Sequence, residues 1–475
     1  MKLEIFNTHV ELSPYVKGEL PKLEEMYTAF DRYSLKEYPC GYMIEDGTLY
    51  LPRGTPISKL EMWTGAQAVV HPKSDPSTKM CRKHFPLREP RDELQEVSID
   101  FLVTCYNHQL ALNLQTGHGK TFVVSYAATK LNIRTLVITH NEGLKKQWMK
   151  QFTDLFDYDR SELLNISGSE MMEAITARTL EPKDVNFVNH QTLRSYLSQH
   201  GYTQFKQFFR KLKAGIKVYD ESHLEFANIL LVDSFSNVNR TWYLTATFDR
   251  SDKSESVCFK QAFSSIQTFG ELESQAVIKK HVTYHVVYIK SRPTTYMMRK
   301  VCPYTGMTAA TYGRYAFLTD PNDSAYQAIV ELMKKTYDLD GKTMIFIPLI
   351  EAVDRVAEKL RKEFPDKTLG VYHSKVPRDE KDDATRKDII VTTIKSCGTG
   401  RDIPGLRVLI CLEPYASTVQ AQQIIGRLRP YGDKKLTYFF DVIDTSIPTL
   451  AFWFRARFKK IETLVHSVIY INLDS

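Results

Sequence analysis

From Arg91 onward the chain alternates short apolar runs with longer amphipathic stretches. The runs Leu110–Leu114, Thr135–Thr139, Val185–Asn189, Ile216–Asp220 and Thr241–Thr247 are rich in branched and aromatic residues and are bounded by polar turns. Such runs predict strands buried on both faces. Between them, Asn141–Phe156 places apolar residues at helical spacing. A second series begins near Val282, with runs at His281–Ile289, Thr343–Leu349, Thr368–Ser374, Asp388–Ile394, Arg407–Glu413 and Leu436–Ile443. Helical spacing separates them at Ser324–Leu339 and Glu351–Phe364. Strands alternating with helices predict an α/β fold on mostly parallel sheets, and two series predict two such domains in tandem.

Before Arg91 the pattern is mixed. Cys40–Trp63 predicts two short strands around Asp46-Gly47, a turn at Pro52-Arg53-Gly54 and a short helix. His71–Pro90 is rich in Pro, Ser and Lys and predicts a linker or surface loop. Its Lys73, Lys79, Arg82, Lys83 and His84 are read as a solvated linker in preference to a nucleic-acid site. The expected organisation is a small α+β N-terminal accessory domain over residues 1–75, a candidate DNA-binding element, then a linker over 76–90 and α/β domains over 91–280 and 281–475.

Composition narrows the class only slightly. The 475 residues are too many for one core. No run reaches the roughly 18 to 20 apolar residues of a membrane span, and the first twenty residues lack the apolar core of a signal peptide. A cytoplasmic location is expected, in the host cytoplasm if the chain is phage-encoded, with no membrane partner. A net charge of +7 is compatible with a polyanionic partner but does not require one. The 7 cysteines are scattered, so reduced core thiols are expected in place of a zinc site or disulfide framework.

The chemistry concentrates at Gln115-Thr116-Gly117-His118-Gly119-Lys120-Thr121. A strand entering a Gly-rich turn and then a helix aims backbone N–H groups at one place, an arrangement that binds phosphate. Lys120 is expected on the β- and γ-phosphates of ATP, and the Thr121 hydroxyl on Mg²⁺. Leu114 stands where a small residue often heads such loops. One hundred residues beyond Lys120, Asp220-Glu221-Ser222-His223 follows a β-branched run, so Asp220 is expected at a strand's carboxyl edge. There it would hold Mg²⁺ through water while Glu221 orients and deprotonates the attacking water. An isolated acidic pair is more often a solvated loop; its position after a phosphate loop favours catalysis.

These residues resemble the phosphate loop and DExH box of superfamily 2 helicases and translocases, and further segments resemble that superfamily's motifs in order. Thr135–Trp148 is similar to the segment that meets the nucleic-acid backbone, Val185–Leu193 to the next strand ending in Gln-Thr, and Leu244–Asp252 to the Thr-Ala-Thr motif. In the second domain, Gly370–Val376, Val391–Leu406 and Gln423–Pro430 resemble its later motifs. Leu occurs at the head of the loop in phage UvsW-like helicases, so Leu114 does not weigh against binding. The UvsW-like branch-migration helicases and the XPB group look most similar, over roughly Arg91 to Asp444.

The resemblance implies two RecA-like domains with ATP in the cleft between them, and it assigns further residues. Gln95, Thr116, Gly117, Gly119, Gly400 and Asp402 join Lys120 and Thr121 around the nucleotide. His223, Thr245 and Thr247 couple hydrolysis to strand binding. Gln423 and Arg427 reach the γ-phosphate, and Arg429 falls one residue early for the motif's second arginine, leaving open which arginine is the finger. Thr139, His140, Gln191, Thr192, His373, Ser374, Thr393 and Lys395 are placed on the nucleic-acid backbone.

The expected function is an ATP-dependent DNA helicase or translocase, a monomeric motor that unwinds or branch-migrates forked and junction DNA. The alternatives are an RNA helicase, the translocating subunit of a restriction complex, or a non-motor strand-annealing protein. Ala451–Leu464 interleaves Phe452, Trp453 and Phe454 with Arg455, Arg457, Lys459 and Lys460. It is read as a helix packing its aromatic face on the motor and turning its cations to solvent, with nucleic-acid contact as the alternative.

Overall fold

The computed structural model describes residues 1–31, 36–71, 78–105, 107–114, 118–222, 224–245, 253–264, 266–269, 281–293, 308–397, 403–428, 436–462 and 465–473. The chain divides into two compact units, Met1–Val277 and Ile278–Ser475.

The first unit is organised on a seven-stranded sheet in the order Leu163–Asn165, Val185–Asn189, Thr135–Thr139, Ile216–Tyr219, Arg240–Thr245, Gln109–Asn113, Gln267–Phe269. Every pairing is parallel. The period-two alternation of strand side chains feeds two cores. Val137, Val218, Leu110, Leu112, Trp242 and Leu244 pack on one face. Leu136, Ile138, Ala111, Tyr219 and Tyr243 pack on the other. Burial on both faces is why these strands read as continuous apolar runs.

The second unit repeats the plan, with order Leu369–Tyr372, Ile389–Thr392, Lys342–Phe346, Leu406–Cys411, Thr437–Asp444, Val282–Ile289, Ser467–Asn472. All pairings are again parallel. Ile345, Val391 and Ile410 face one core, and Met344, Ile390 and Leu409 the other. The two parallel sheets establish the tandem RecA-like architecture.

At the N-terminus a five-stranded mixed sheet runs Met43–Glu45, Thr48–Pro52, His9–Ser13, Lys2–Ile5, Ala68–Val70. Asp46 and Gly47 turn its hairpin with φ of 47° and 68°, the doubly left-handed turn that matches strand twist. This sheet is not closed on itself. Its Leu3, Val10, Leu12 and Leu49, with Tyr27 from the segment after helix Pro21–Met26, share one core with Phe226, Cys258, Phe259 and Ala262, which belong to helices following the Asp220 and Thr245 strands. A Cβ on Gly54 would lie 2.0 Å from the Ala262 carbonyl oxygen. Polar contacts extend the seam: Thr8 Oγ1 donates to the Asp233 carbonyl at 2.7 Å, and Gln109 Nε2 to the Thr8 carbonyl at 3.1 Å.

Two expectations change. The described end of the expected linker, from Thr78, keeps Lys79, Arg82 and Lys83 exposed as expected, but its backbone is bound to the first sheet's surroundings and His84 turns inward. Arg134 N–H donates to Thr78 O at 2.6 Å, and Leu87 N–H to Leu155 O at 2.9 Å. His84 is buried, 2.8 Å from Asp184, and stacks on Tyr158. Arg82 pairs with Asp157 at 2.8 Å and Glu162 at 2.6 Å, the two carboxylates on the Nδ1 side of His84. In the helix Pro448–Ile461, Phe454 packs inward as expected, but Phe452 is exposed and Arg457 is buried. Both Asp441 oxygens accept from Arg457 Nη2, at 2.8 and 2.6 Å, and its guanidinium lies 4.2 Å from the Tyr415 ring centre. The buried Asp441 partner turns Arg457 inward, while Arg455 and Lys459 face solvent as expected.

Candidate active site

The helix Lys120–Leu131 starts directly after the Gln109–Asn113 strand and its turn. Gly119 caps it at φ 77°, a left-handed conformation that glycine adopts without penalty. A Cβ there would lie 2.5 Å from Gln95 Nε2. Gln95 is buried, donating through Nε2 to His118 O at 3.1 Å and accepting from Arg91 N–H at 3.0 Å, which ties the turn to the preceding helix. Leu114 is fully buried in the apolar core. Its carbonyl accepts from Lys120 Nζ at 2.8 Å, and Thr121 lies half-buried in the helix's first turn. Thr116 and Gly117 lie outside the described residues.

Asp220 follows the central Ile216–Tyr219 strand, and its N–H continues the ladder to Ile138 O at 3.0 Å. Its carboxylate is buried, and Oδ2 accepts from Trp148 Nε1 at 2.8 Å. Burial pushes its pKa up to about 6, with the charge of Glu221 adding to the rise; the Trp148 hydrogen bond and the charge of Lys120 oppose it. Glu221 takes φ 51°, uncommon for a residue with a side chain and characteristic of functional turns. Two adjacent carboxylates with a lysine in electrostatic range are a donor set that fits a divalent cation and phosphate. Thr245 ends the neighbouring strand, fully buried and in register with Asn113. His223 and Thr247 lie outside the described residues.

The remaining first-unit residues line the same carboxyl edge on adjacent strands. Thr139 pairs in register with Asn189, the cap of the helix that begins with His190, Gln191 and Thr192. Thr139 is buried, with Oγ1 donating to Asn141 O at 3.1 Å, while Gln191 is exposed and Thr192 half-buried. His140 is exposed and its Nδ1 lies 2.9 Å from Glu225 Oε1. That hydrogen bond brings Glu225 down to about 2 against the cost of burial, with a hydrogen bond from Asn228 and the charge of Arg194 adding to the fall. His190, whose ring lies parallel to Tyr219, is pushed down to about 4 by burial and is neutral at ordinary pH.

In the second unit, His373 and Ser374 follow one strand and Thr393 and Lys395 follow its neighbour, Tyr372 and Thr392 being in register. His373 is buried and hydrogen-bonds Asp354 at 3.0 Å; Ser374 and Lys395 are exposed. Thr393 Oγ1 donates to Ser396 Oγ at 2.9 Å. Gln423 is buried in the helix Thr418–Ile425, and Arg427 is buried just beyond it. Gly400, Asp402 and Arg429 lie outside the described residues. The sequence did not single out Trp148 for contact with Asp220, nor Glu225, nor Glu413. The last accepts from Ile394 N–H at 2.7 Å, and burial pushes it up to about 7.

A phosphate-loop helix and a carboxylate pair with Asp220 buried, on two strands of one parallel sheet separated by the Arg240–Thr245 strand, followed by a second sheet of the same plan, define a nucleotide-driven motor. The model for "Type III restriction enzyme, res subunit" matches residues 88–250, and that for "Helicase conserved C-terminal domain" matches residues 324–430. Transcript termination protein A18 of fowlpox virus (strain NVSL) is 23% identical over 383 residues, covering 76% of this chain and 76% of that protein. DNA 3'-5' helicase XPB of Kineococcus radiotolerans is 23% identical over 342 residues, 70% of this chain and 56% of that protein. The structure of S. cerevisiae Dbp5 bound to RNA and ADP BeF3 shares the fold, with a TM-score of 0.55 and 15% identity over 81% of this chain and 90% of that one. T4 UvsW aligns over 100% of both chains at 15% identity and a TM-score of 0.35, too low to bear on the fold. The chain belongs to helicase superfamily 2, is similar to a helicase of the XPB group, and is an ATP-dependent helicase. No helix among the described residues is long and apolar enough to cross a membrane.

Proposed function

We propose that this helicase acts on DNA, translocating along one strand to unwind or branch-migrate forked and junction substrates. The observation that carries the reading is the shared carboxyl edge of the first sheet. Asp220 lies within electrostatic range of Lys120, and the adjacent strand ends carry Thr139, His140, Gln191 and Thr192. The similarity to a DNA helicase of the XPB group supports DNA over RNA.

In this reading Lys120 and the N–H groups opening its helix hold the triphosphate, with Gln95 beside the loop. Thr121 and Asp220 hold Mg²⁺, which neutralises phosphate charge when bound. Glu221 orients water and accepts its proton on a carboxylate oxygen, and Gln423 and Arg427 serve the γ-phosphate. The first-unit quartet and His373, Ser374, Thr393 and Lys395 hold the backbone of the strand. Backbone contacts make binding salt-sensitive and largely independent of sequence.

The test is steady-state ATP hydrolysis without nucleic acid and with single-stranded DNA, forked DNA or matched RNA. Forked DNA is expected to raise turnover at least about tenfold, and Lys120→Ala to remove at least two orders of magnitude of it, within the range that positioning and charge stabilisation supply. Stimulation by RNA alone would move the chain to the RNA helicases.

A further inference from the structure

The hydrogen bond to Asp220 comes from the segment that the sequence assigned to nucleic-acid contact. Trp148 lies within the helix Glu142–Leu155, which starts just after Thr139 and His140. Its ring is 1% exposed, and its only polar atom is spent on Asp220 Oδ2 at 2.8 Å. Phe is the residue that packing alone would favour, because a buried indole must find an acceptor for its N–H. Here the acceptor is the carboxylate that the proposed function gives to the cation. Deeper in the same core, Trp148 packs among Val137, Val218 and Phe187, side chains from three neighbouring strands of the sheet. The indole is therefore held in the sheet's core, and its N–H holds one oxygen of the carboxylate.

We propose that Trp148 is a positioning residue for ATP hydrolysis. Its N–H pins one oxygen of Asp220 and leaves the other for the divalent cation, and it joins that carboxylate to the helix leading from Thr139 and His140. The inference rests on the proposed role of Asp220. A carboxylate free to rotate pays orientational entropy on binding a cation, and a fixed one has lost that freedom already in folding. The single hydrogen bond also transmits displacement: movement of the Glu142–Leu155 helix on strand binding moves the carboxylate with it.

The experiment compares wild type with Trp148→Phe. A second variant carries 3-benzothienylalanine at position 148, which keeps the bicyclic shape and lacks the N–H. Mn²⁺ affinity is read by electron paramagnetic resonance in the presence of a non-hydrolysable ATP analogue, beside metal-free binding of a fluorescent ADP. Both variants are expected to bind Mn²⁺ about three- to tenfold more weakly and to need correspondingly more Mg²⁺ for half-maximal hydrolysis. Metal-free ADP binding should change less than about twofold. A structural role alone lowers Tm without moving the metal affinity selectively. If the benzothienyl variant keeps wild-type Mn²⁺ affinity, the inference is overturned, whatever Trp148→Phe does to folding. If Asp220→Ala also leaves Mn²⁺ affinity unchanged, the reading of the site itself falls, and the inference with it.

Discussion

Asp220 ends a fully buried strand beside Glu221, and the fold raises its pKa from 3.8 to about 6. A carboxyl group raised in the folded state contributes stability that is fully present below about pH 3.8 and lost as pH rises through about 6. The loss amounts to up to about 3 kcal/mol in the cation-free protein. Asp220→Asn keeps an acceptor for the Trp148 N–H and removes the charge. We predict that it melts several degrees higher than wild type above pH 6 by scanning calorimetry, converges with wild type below pH 4, and has no measurable ATPase. Lys120, Asp220 and Glu221 were legible in the sequence because their chemistry depends on residue type at a fixed offset from a strand. Trp148 stood in the right motif with the wrong contact, since its partner lies 72 residues away and only packing brings the two together.

The same distinction governs the elements. Central strands announced themselves as unbroken apolar runs. The strands Leu163–Asn165, Gln267–Phe269 and Ser467–Asn472 were not foreseen. All three lie at sheet edges, where one side lacks a neighbour and the apolar signal thins. The helix Pro448–Ile461 was foreseen, but the inward turn of Arg457 depended on Asp441 in another element. Glu413 offers an element-scale test, since it anchors the first N–H of the Ile394–Cys397 helix, beside Thr393. Its rise from 4.5 to about 7 means that stability is fully present below about pH 4.5 and lost as pH passes about 7. Glu413→Gln retains the acceptor. It is expected to gain up to roughly 3 kcal/mol at pH 8 and nothing at pH 4 in urea titrations.

For the whole molecule, the N-terminal sheet is the decisive case. Sequence texture divided it from the first α/β domain, and the structure joins it to Phe226, Cys258, Phe259 and Ala262 in one core. Deleting residues 1–75 would expose that surface, and the two phenylalanines alone forfeit roughly 1.5–3 kcal/mol each. The truncated chain is expected to aggregate or to unfold without a cooperative transition by circular dichroism. Retention of the full chain's Tm would show that the sheet is dispensable.

The register of the second sheet has a consequence for how the chain is made. Val282–Ile289 is almost wholly buried, and its partners are Thr437–Asp444 and Ser467–Asn472, with Val282 opposite Thr437. During synthesis this apolar strand leaves the ribosome long before either partner exists. At about 5–20 residues per second the nearer one arrives roughly seven to thirty seconds later. For that interval the nascent chain carries an unpaired strand of the kind chaperones hold, so the yield of this motor in a cell is set partly by translation speed.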